Sequence, residues 1–343
     1  MKMISINEKK ICNGGKPFFV AEVNSSHNGN LETALKMTDA IKRIGCDAVK
    51  YQSWSAESLY CESYYKENPI AKRMVSRFAL SPDELITIAE HCKEIGMTFF
   101  STPYCNEEVD FLVDCCHAPM IKIASMEVNN LRFLEYIGSK HKPVILSTGM
   151  SSTEEIKRAV KTIESTGNTE ICILHCVSQY PAETSEVNIN NVRMLMDLFP
   201  DYAIGYSDHT LDSTASMAAV SLGAALIEKH FTLDNSKIGW DNQMATEPDK
   251  FSEMIRDCNK IHSCLGSYER ILTVNELEQR KKMRRSVVAA VDIKNRTKIT
   301  PEMLEAKRPG SGIPADRINE VAGKIAKTNI TKGDIISESY LEG

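Results

Sequence analysis

The sequence predicts an α/β protein whose first 272 residues close into a (β/α)8 TIM barrel, with a small β-rich domain behind it. Eight short apolar runs recur between Phe18 and Thr232, and stretches of helical periodicity separate them. Nearly every run ends in a polar residue able to do chemistry. In a barrel of parallel strands the carboxyl ends of the strands point at the catalytic face, so such endings read as a site rather than as core.

Ahead of the first run, Ile4 to Ile6 and Lys10 to Ile11 flank a polar turn. They read as a hairpin closing the barrel bottom, with Asn13-Gly14-Gly15 as the turn that follows. The runs are Phe18 to Val23, Ala48 to Ser53, Thr98 to Thr102, Met120 to Ser125, Pro143 to Gly149, Cys172 to Ser178, Ala203 to His209 and Leu226 to Thr232. The first helix spans Leu31 to Ile44: Leu31, Ala34, Met37, Ile41 and Ile44 share a face, and Gly45 stops it. Ser81 to Ile95, Thr153 to Ser165 and Asp212 to Leu222 have the same character. Strand, helix, strand in this order means parallel pairing with right-handed crossovers. A doubly wound sheet is the competing architecture, but eight units without a G-x-G-x-x-G fingerprint favour closure. The connection Trp54 to Gly96 is long enough to carry an extra loop or helix over the barrel mouth. Residues 273–285 are highly charged, ending in Arg280, Lys281, Lys282, Met283, Arg284 and Arg285, and read as a solvated linker or helix end. In residues 286–343, Asp292-Ile293-Lys294 and Asn329-Ile330-Thr331 form a near-repeat. A segment of that size is marginal for independent stability.

A net charge of −5 gives no case for a nucleic-acid partner, and no apolar stretch approaches the roughly 20 residues a bilayer crossing needs. Met1 to Lys10 lacks the apolar core of a secretory signal, so the cytoplasm is the expected location. The 11 cysteines form no C-x-x-C pair, and Cys172 and Cys176 sit inside apolar runs. Reduced, core-packed thiols are expected.

The polar endings assemble into ordered motifs: Ala21-Glu22-Val23-Asn24, Lys50-Tyr51-Gln52, Lys122-Ile123-Ala124-Ser125-Met126-Glu127 and Ser147-Thr148-Gly149-Met150. Leu174-His175-Cys176 leading to Tyr180-Pro181, Ser207-Asp208-His209-Thr210, Glu228-Lys229-His230-Phe231 and, in the tail, Arg308-Pro309-Gly310-Ser311-Gly312-Ile313 complete the series. In that order the set resembles the sialic acid (N-acetylneuraminate, nonulosonic acid) synthase family, whose members carry a carboxy-terminal antifreeze-like (SAF) domain of β-clip type. The resemblance implies condensation of phosphoenolpyruvate with an N-acylated mannosamine-type or 2,4-diacetamido hexose, releasing phosphate by C–O cleavage.

Phosphoenolpyruvate presents a carboxylate and a phosphate, so its pocket needs cations and neutral donors. Lys50 and Lys122 supply charge, and Ser125, Ser147, Ser178 and Ser207 supply hydroxyls, Ser178 standing where the family often has Asn. His209 and His230 end neighbouring strands and can share one divalent ion, which the resemblance makes Mn2+, with Mg2+ or Co2+ as alternatives. Glu22 and Glu127 are the candidate bases or electrostatic stabilisers; Gln52, Tyr180 and Asp241 are expected beside the sugar, and His27 at the border. The loop Ile238 to Met244 departs from the family's usual Pro-Gly-Pro-Asp, and Trp240 and Asn242 are expected to alter acceptor choice. The family also implies a domain-swapped homodimer in which Arg308 of one subunit reaches the acceptor pocket of the other. The enzymatic alternative is an octulosonate- or heptulosonate-phosphate synthase; the non-enzymatic one is a carbohydrate- or ice-binding protein.

Overall fold

The computed structural model describes residues 3–237 and 239–342, so Ile238 lies outside the described residues. The chain divides into two compact units, Met1–Gly266 and Ser267–Gly343.

The first unit opens with an antiparallel hairpin, β1 (Ile4–Ile6) and β2 (Lys9–Ile11), in which Ile4 faces Ile11. Eight parallel strands follow: β3 (Phe18–Glu22), β4 (Ala48–Gln52), β5 (Thr98–Thr102), β6 (Ile121–Ile123), β7 (Val144–Ser147), β8 (Ile171–Cys176), β9 (Ala203–Asp208) and β10 (Leu226–His230). Their order is β5-β4-β3-β10-β9-β8-β7-β6, and β5 lies beside β6, bringing the two edges of the sheet together. The eight-unit barrel read from the apolar runs is thus the observed architecture.

Strand alternation sorts each run into two cores. Phe18, Val20, Ala48, Phe100, Met120, Ile145, Cys172, Leu174 and Leu226 point inward and pack with Ile4, Ile6 and Ile11, so the hairpin plugs the amino-terminal end with apolar side chains. Their neighbours Phe19, Ala21, Val49, Tyr51, Ile123, Leu146, Ile173, Ile204 and Ile227 face the helices. Helix α1 (Leu31–Arg43) buries Ala34, Met37 and Ile41, and Asn30 caps it by accepting from the Thr33 N–H. Three short helices, α2 (Ala56–Leu59), α3 (Glu62–Glu67) and α4 (Pro69–Phe78), occupy the long connection ahead of α5 (Pro82–Glu94). They enclose a satellite core of Trp54, Ala56, Tyr65, Val75 and Phe78. Gly29, at φ +67°, lets the first barrel loop touch this insert, because a Cβ there would stand 2.0 Å from the Arg77 carbonyl oxygen. The remaining barrel helices are α6 (Asn106–Asp114), α7 (Leu131–Gly138), α8 (Thr153–Ser165), α9 (Asn191–Leu198), α10 (Thr214–Ser221) and α11 (Pro248–Leu265). No helix among the described residues is long and apolar enough to cross a membrane.

The second unit begins with α12 (Val274–Met283), so the charged stretch 273–285 is largely helical, and α12 buries none of its residues. A capping box between Thr273 and Glu276 starts it. Beyond it, β11 (Ser286–Ala289) pairs antiparallel with β12 (Leu304–Lys307) over a core of Val287, Ala289, Ile293, Ile313, Val321, Ile330 and Ile336. A short helix, α13 (Ile318–Val321), completes its regular structure. The two halves of the near-repeat meet directly: Ile293 and Ile330 form an antiparallel bridge with reciprocal hydrogen bonds of 2.8 Å.

Candidate active site

A cavity of about 420 Å³ opens at the carboxyl ends of the strands. Register explains who lines it. Along β9 and β10, Ser207 stands opposite Glu228 and Asp208 opposite Lys229. Ser207, His209, Glu228 and His230 line the cavity, while Asp208 and Lys229 pair behind it at 3.0 Å. On the neighbouring strands His230 is opposite Glu22, and Glu22 opposite Lys50, so ions and imidazoles meet at one level.

The floor is a buried charge network. Lys50 Nζ lies 2.5 Å from Glu22 and 3.4 Å from Glu228; Lys122 Nζ lies 3.5 Å from Glu228 and donates to Ser147 Oγ at 2.7 Å. Ser207 Oγ donates to Glu228 at 3.0 Å. Burial pushes the Lys50 ammonium down to about 7; Lys122 adds to the fall and Glu228 opposes it. Burial acts against the Glu228 carboxylate too, but Lys122 and Lys50 together outweigh it and hold its pKa at about 2. Taking four charged side chains out of water is costly unless a function keeps them there.

The two histidines lie with ring centroids 5.4 Å apart. His209 Nδ1 donates to the Val177 carbonyl at 2.6 Å, and its Nε2 lies 3.5 Å from Ser207 Oγ. His230 Nδ1 is buried without a hydrogen-bond partner, and Asp241 Oδ2 stands 3.8 Å from it. Burial, then the nearby His209 and Lys50, hold His230 well below its usual pKa, so it is the neutral imidazole a metal requires. Burial pushes Asp241 up to about 6. The neutral His230 imidazole, the His209 imidazole, whose pKa burial lowers but Cys176 and the Val177 carbonyl raise above its ordinary value, and an adjacent carboxylate form a donor set for a divalent ion once His209 gives up its proton, although no preassembled cluster of three or more such ligands exists among the described residues. Asn24 Oδ1 and Glu228 Oε2 are also buried without hydrogen-bond partners, which marks the cavity as built for a ligand.

Gln52, Ser125, Ser178 and Tyr180 line the same cavity. Gln52 donates to Glu22 at 3.1 Å and accepts from the Tyr104 hydroxyl at 2.6 Å. Ser125 Oγ accepts from the Gly149 N–H at 3.0 Å; a Cβ on Gly149 would stand 2.1 Å from Ser178 Oγ, so glycine lets these hydroxyls close on one another. The Tyr180 ring sits 4.2 Å from that of His209. Glu127 is not among the lining residues: it follows β6 on a single 3-10 turn and accepts from Asn130 at 2.8 Å. Arg308 belongs to the second unit, exposed in the turn after β12. His27 is held in the first loop, where it accepts from the Gly29 N–H at 3.0 Å, and burial lowers its pKa to about 4. Asn242 is buried scaffold rather than a cavity wall: it accepts from Thr232 and donates to the Asp234 and Lys237 carbonyls. Any effect of Asn242 on acceptor choice therefore runs through the shape of its loop, whereas Trp240 lines the cavity itself.

Sequence reasoning missed Glu228, the carboxylate that joins both lysines. The signal was there, since Glu228 is two residues before His230 on a strand and must share its face. It also read Cys176 as core, whereas the thiol lines the cavity 3.9 Å from His209 Nδ1. Burial alone would raise that thiol's pKa, but His209, Ser125 and Lys122 bring it down to about 7. Trp54, Tyr60, Tyr104 and Met126 come from loops and the insert and carried no periodic signal.

Comparison with known proteins agrees with this construction. The NeuB family profile matches residues 37–270 and the SAF domain profile residues 284–342. The chain is 34% identical to N,N'-diacetyllegionaminic acid synthase of Campylobacter jejuni, over 94% of this chain and 99% of that protein. It is 33% identical to pseudaminic acid synthase of the same species, over 94% and 96%. The crystal structure of the N-acetylneuraminic acid synthetase of Leptospira borgpetersenii in complex with citrate superposes with a TM-score of 0.75 at 28% identity, covering 81% of this chain and 95% of that one. With the two profiles covering most of the barrel and nearly all of the tail, the chain belongs to the NeuB family and carries a SAF domain at its carboxyl end.

Proposed function

We propose that the barrel is a nonulosonic acid synthase, a phosphoenolpyruvate-dependent transferase that joins the terminal CH2 carbon of its donor to the aldehyde carbon of an N-acylated amino sugar. The observation that carries this reading is the floor network: two buried lysines, four serine hydroxyls and two imidazoles converge on one cavity. Each ammonium has three N–H groups, so Lys50 and Lys122 can keep Glu22 and Glu228 and still hold the donor's carboxylate and phosphate. Ser125, Ser147, Ser178 and Ser207 add neutral hydrogen bonds to the same oxygens.

A divalent ion, Mn2+ first and Mg2+ or Co2+ as alternatives, would be held by His209 and His230 and would supply Lewis-acid polarisation of the acceptor aldehyde. Once the carbon–carbon bond forms and the aldehyde oxygen takes up a proton, positive charge develops on the donor carbon that bears the phosphate oxygen, where the Glu22 carboxylate stabilises it and takes the proton of the water that adds there. Lys122 and Lys50 hold the phosphate as its C–O bond breaks. Asp241, Gln52 and Tyr180 orient the sugar's hydroxyls, and Glu127 would join them from the turn after β6, outside the present lining of the cavity. We place Arg308 in the acceptor pocket of a partner copy within a domain-swapped homodimer, where its guanidinium donates to the acyl oxygen. The reaction belongs in the cytoplasm, where the unpaired cysteines of this chain stay reduced.

The test is phosphate release from phosphoenolpyruvate with Mn2+ and a panel of hexosamines, with the nine-carbon 2-keto-3-deoxy acid identified by mass. Release without a new carbon–carbon bond would overturn the reading. For Arg308, mixing Arg308→Ala chains with His209→Ala chains should restore activity after subunit exchange; a mixture no more active than its components removes the swapped arrangement.

A further inference from the structure

Asp208 and Lys229 stand where charge is least expected. On the outward face of β9 and β10, Ile204, Tyr206 and Ile227 belong to the apolar layer between strands and helices, and the two charged side chains continue that face with 0% and 2% exposure. Register sets them opposite each other across the strands, with Lys229 Nζ 3.0 Å from Asp208 Oδ2. Taking such a pair out of water is a poor way to gain stability, and its best-attested use is to fix register. Here it grips the segment that carries His209. Asp208 Oδ1 accepts from the Thr210 N–H at 2.9 Å and from the Thr210 hydroxyl at 2.8 Å, and Oδ2 accepts from Ser216 of α10 at 2.5 Å. Lys229 donates to the Thr210 carbonyl at 2.7 Å, so every polar group of Thr210 engages the pair. His209 lies between two anchored residues. On the other strand His230 directly follows Lys229, and its carbonyl accepts from the Thr246 N–H at 2.9 Å.

Resting on the metal-assisted synthase reading, we propose that Asp208 and Lys229 are positioning residues, a clamp behind the cavity that holds the His209 imidazole at the separation from His230 that one divalent ion needs. Neither side chain lines the cavity, and each acts through the histidine beside it. Two imidazoles are an incomplete ligand set, so affinity depends on how well their mutual placement is held before the ion arrives. An apolar pair could seal the layer, but it could not hold the N–H, hydroxyl and carbonyl of Thr210. Packing does not do so either. A second cavity of about 240 Å³ borders Lys229, Leu211, Ser213 and Met254, and the Thr246 hydroxyl is buried beside it without a hydrogen-bond partner. With space behind the loop, its position is set by the polar clamp rather than by contact with α11.

The experiment measures Mn2+ affinity by calorimetric titration, with Tm and steady-state kinetics, for the wild type, Lys229→Met and the double variant Asp208→Asn/Lys229→Met. The single variant leaves a buried carboxylate unpaired, so Tm should fall, and Mn2+ affinity should weaken about 10- to 100-fold, the range for residues that orient metal ligands. The double variant removes both charges and should recover most of the lost Tm. It still releases the Thr210 carbonyl, so its Mn2+ affinity should stay at least about tenfold below that of the wild type. Because the defect lies in affinity, saturating Mn2+ should bring its kcat back toward the wild-type value, with the KM for phosphoenolpyruvate within about twofold. A double variant that binds Mn2+ as tightly as the wild type, or that stays as unstable as Lys229→Met, makes the pair plain scaffold and overturns the proposal, as does activity that excess Mn2+ fails to raise. Such outcomes leave the synthase reading standing; a wild-type chain that binds no divalent ion removes the metal reading and this inference together.

Discussion

The two ends of this barrel are built from the same strands and have opposite chemistry. At the amino-terminal end Ile4, Ile6 and Ile11 of the hairpin close the interior against Phe18 and Leu226. At the carboxyl end the same inward register carries Glu22, Lys50, Lys122, Glu228 and two histidines. On β10, Leu226, Glu228 and His230 alternate inward, so a single strand passes from core to site within five residues. Stability is concentrated where the interior is sealed and reactivity where it is open, the division of labour a barrel permits.

The sharpest break of that comparison is at the imidazoles. His209→Ala or His230→Ala should lower kcat/KM by roughly a thousandfold, because Lewis-acid help is worth several kcal/mol. Calorimetric titration should show Mn2+ affinity lost, with Tm nearly unchanged. A large fall in Tm with metal affinity retained would make the histidines structural. The mirror experiment is Ile11→Ala, in which a fully buried side chain leaves a cavity under the barrel. It should cost about 2 to 5 kcal/mol of stability by denaturant titration, while the KM for phosphoenolpyruvate stays where it was. A shift in donor KM would show that the two ends are mechanically coupled.

Lys122→Met tests the floor with a smaller effect. The variant loses a charge-assisted bond to the donor and leaves Lys50 alone to balance Glu228. Donor KM should rise about 10- to 100-fold and kcat should fall as well, since the lysine's attraction persists onto the departing phosphate. An unchanged donor KM would place the donor elsewhere in the cavity.

What the sequence disclosed follows the same division. Strand ends were legible because a period of two and a motif order fix both the face and the level of Lys50, Lys122, Ser207 and His230. Glu228 was overlooked although it obeys that rule, since attention went to its neighbour His230. The loop-borne part of the lining was illegible for a physical reason: Tyr60 reaches the cavity from the end of the short helix α2 in the insert, and Met126 from a single turn, so neither position follows from any repeat. Asn242 reads in the sequence as a residue that alters acceptor choice, but how it would do so was not legible: its amide holds the loop's own carbonyls and so sets the shape of the loop around Asp241.

The last and gentlest test concerns the protonation of the floor. Lys50 sits at about 7, far below the ordinary lysine value of 10.5, because burial disfavours its charge. As pH rises through 7 in the free enzyme, Lys50 loses the proton that attracts the donor's anions, so kcat/KM for phosphoenolpyruvate should fall on the alkaline side, toward about tenfold per pH unit. Bound donor brings negative charge beside the ammonium and raises its pKa, so the corresponding limb in kcat should lie at higher pH. Lys50→Arg keeps a charge that no accessible pH removes, and its kcat/KM profile should stay flat across this window whatever its absolute rate. If the alkaline limb survives unchanged in Lys50→Arg, another group supplies it, and the open end of the barrel is tuned by something other than the burial of Lys50.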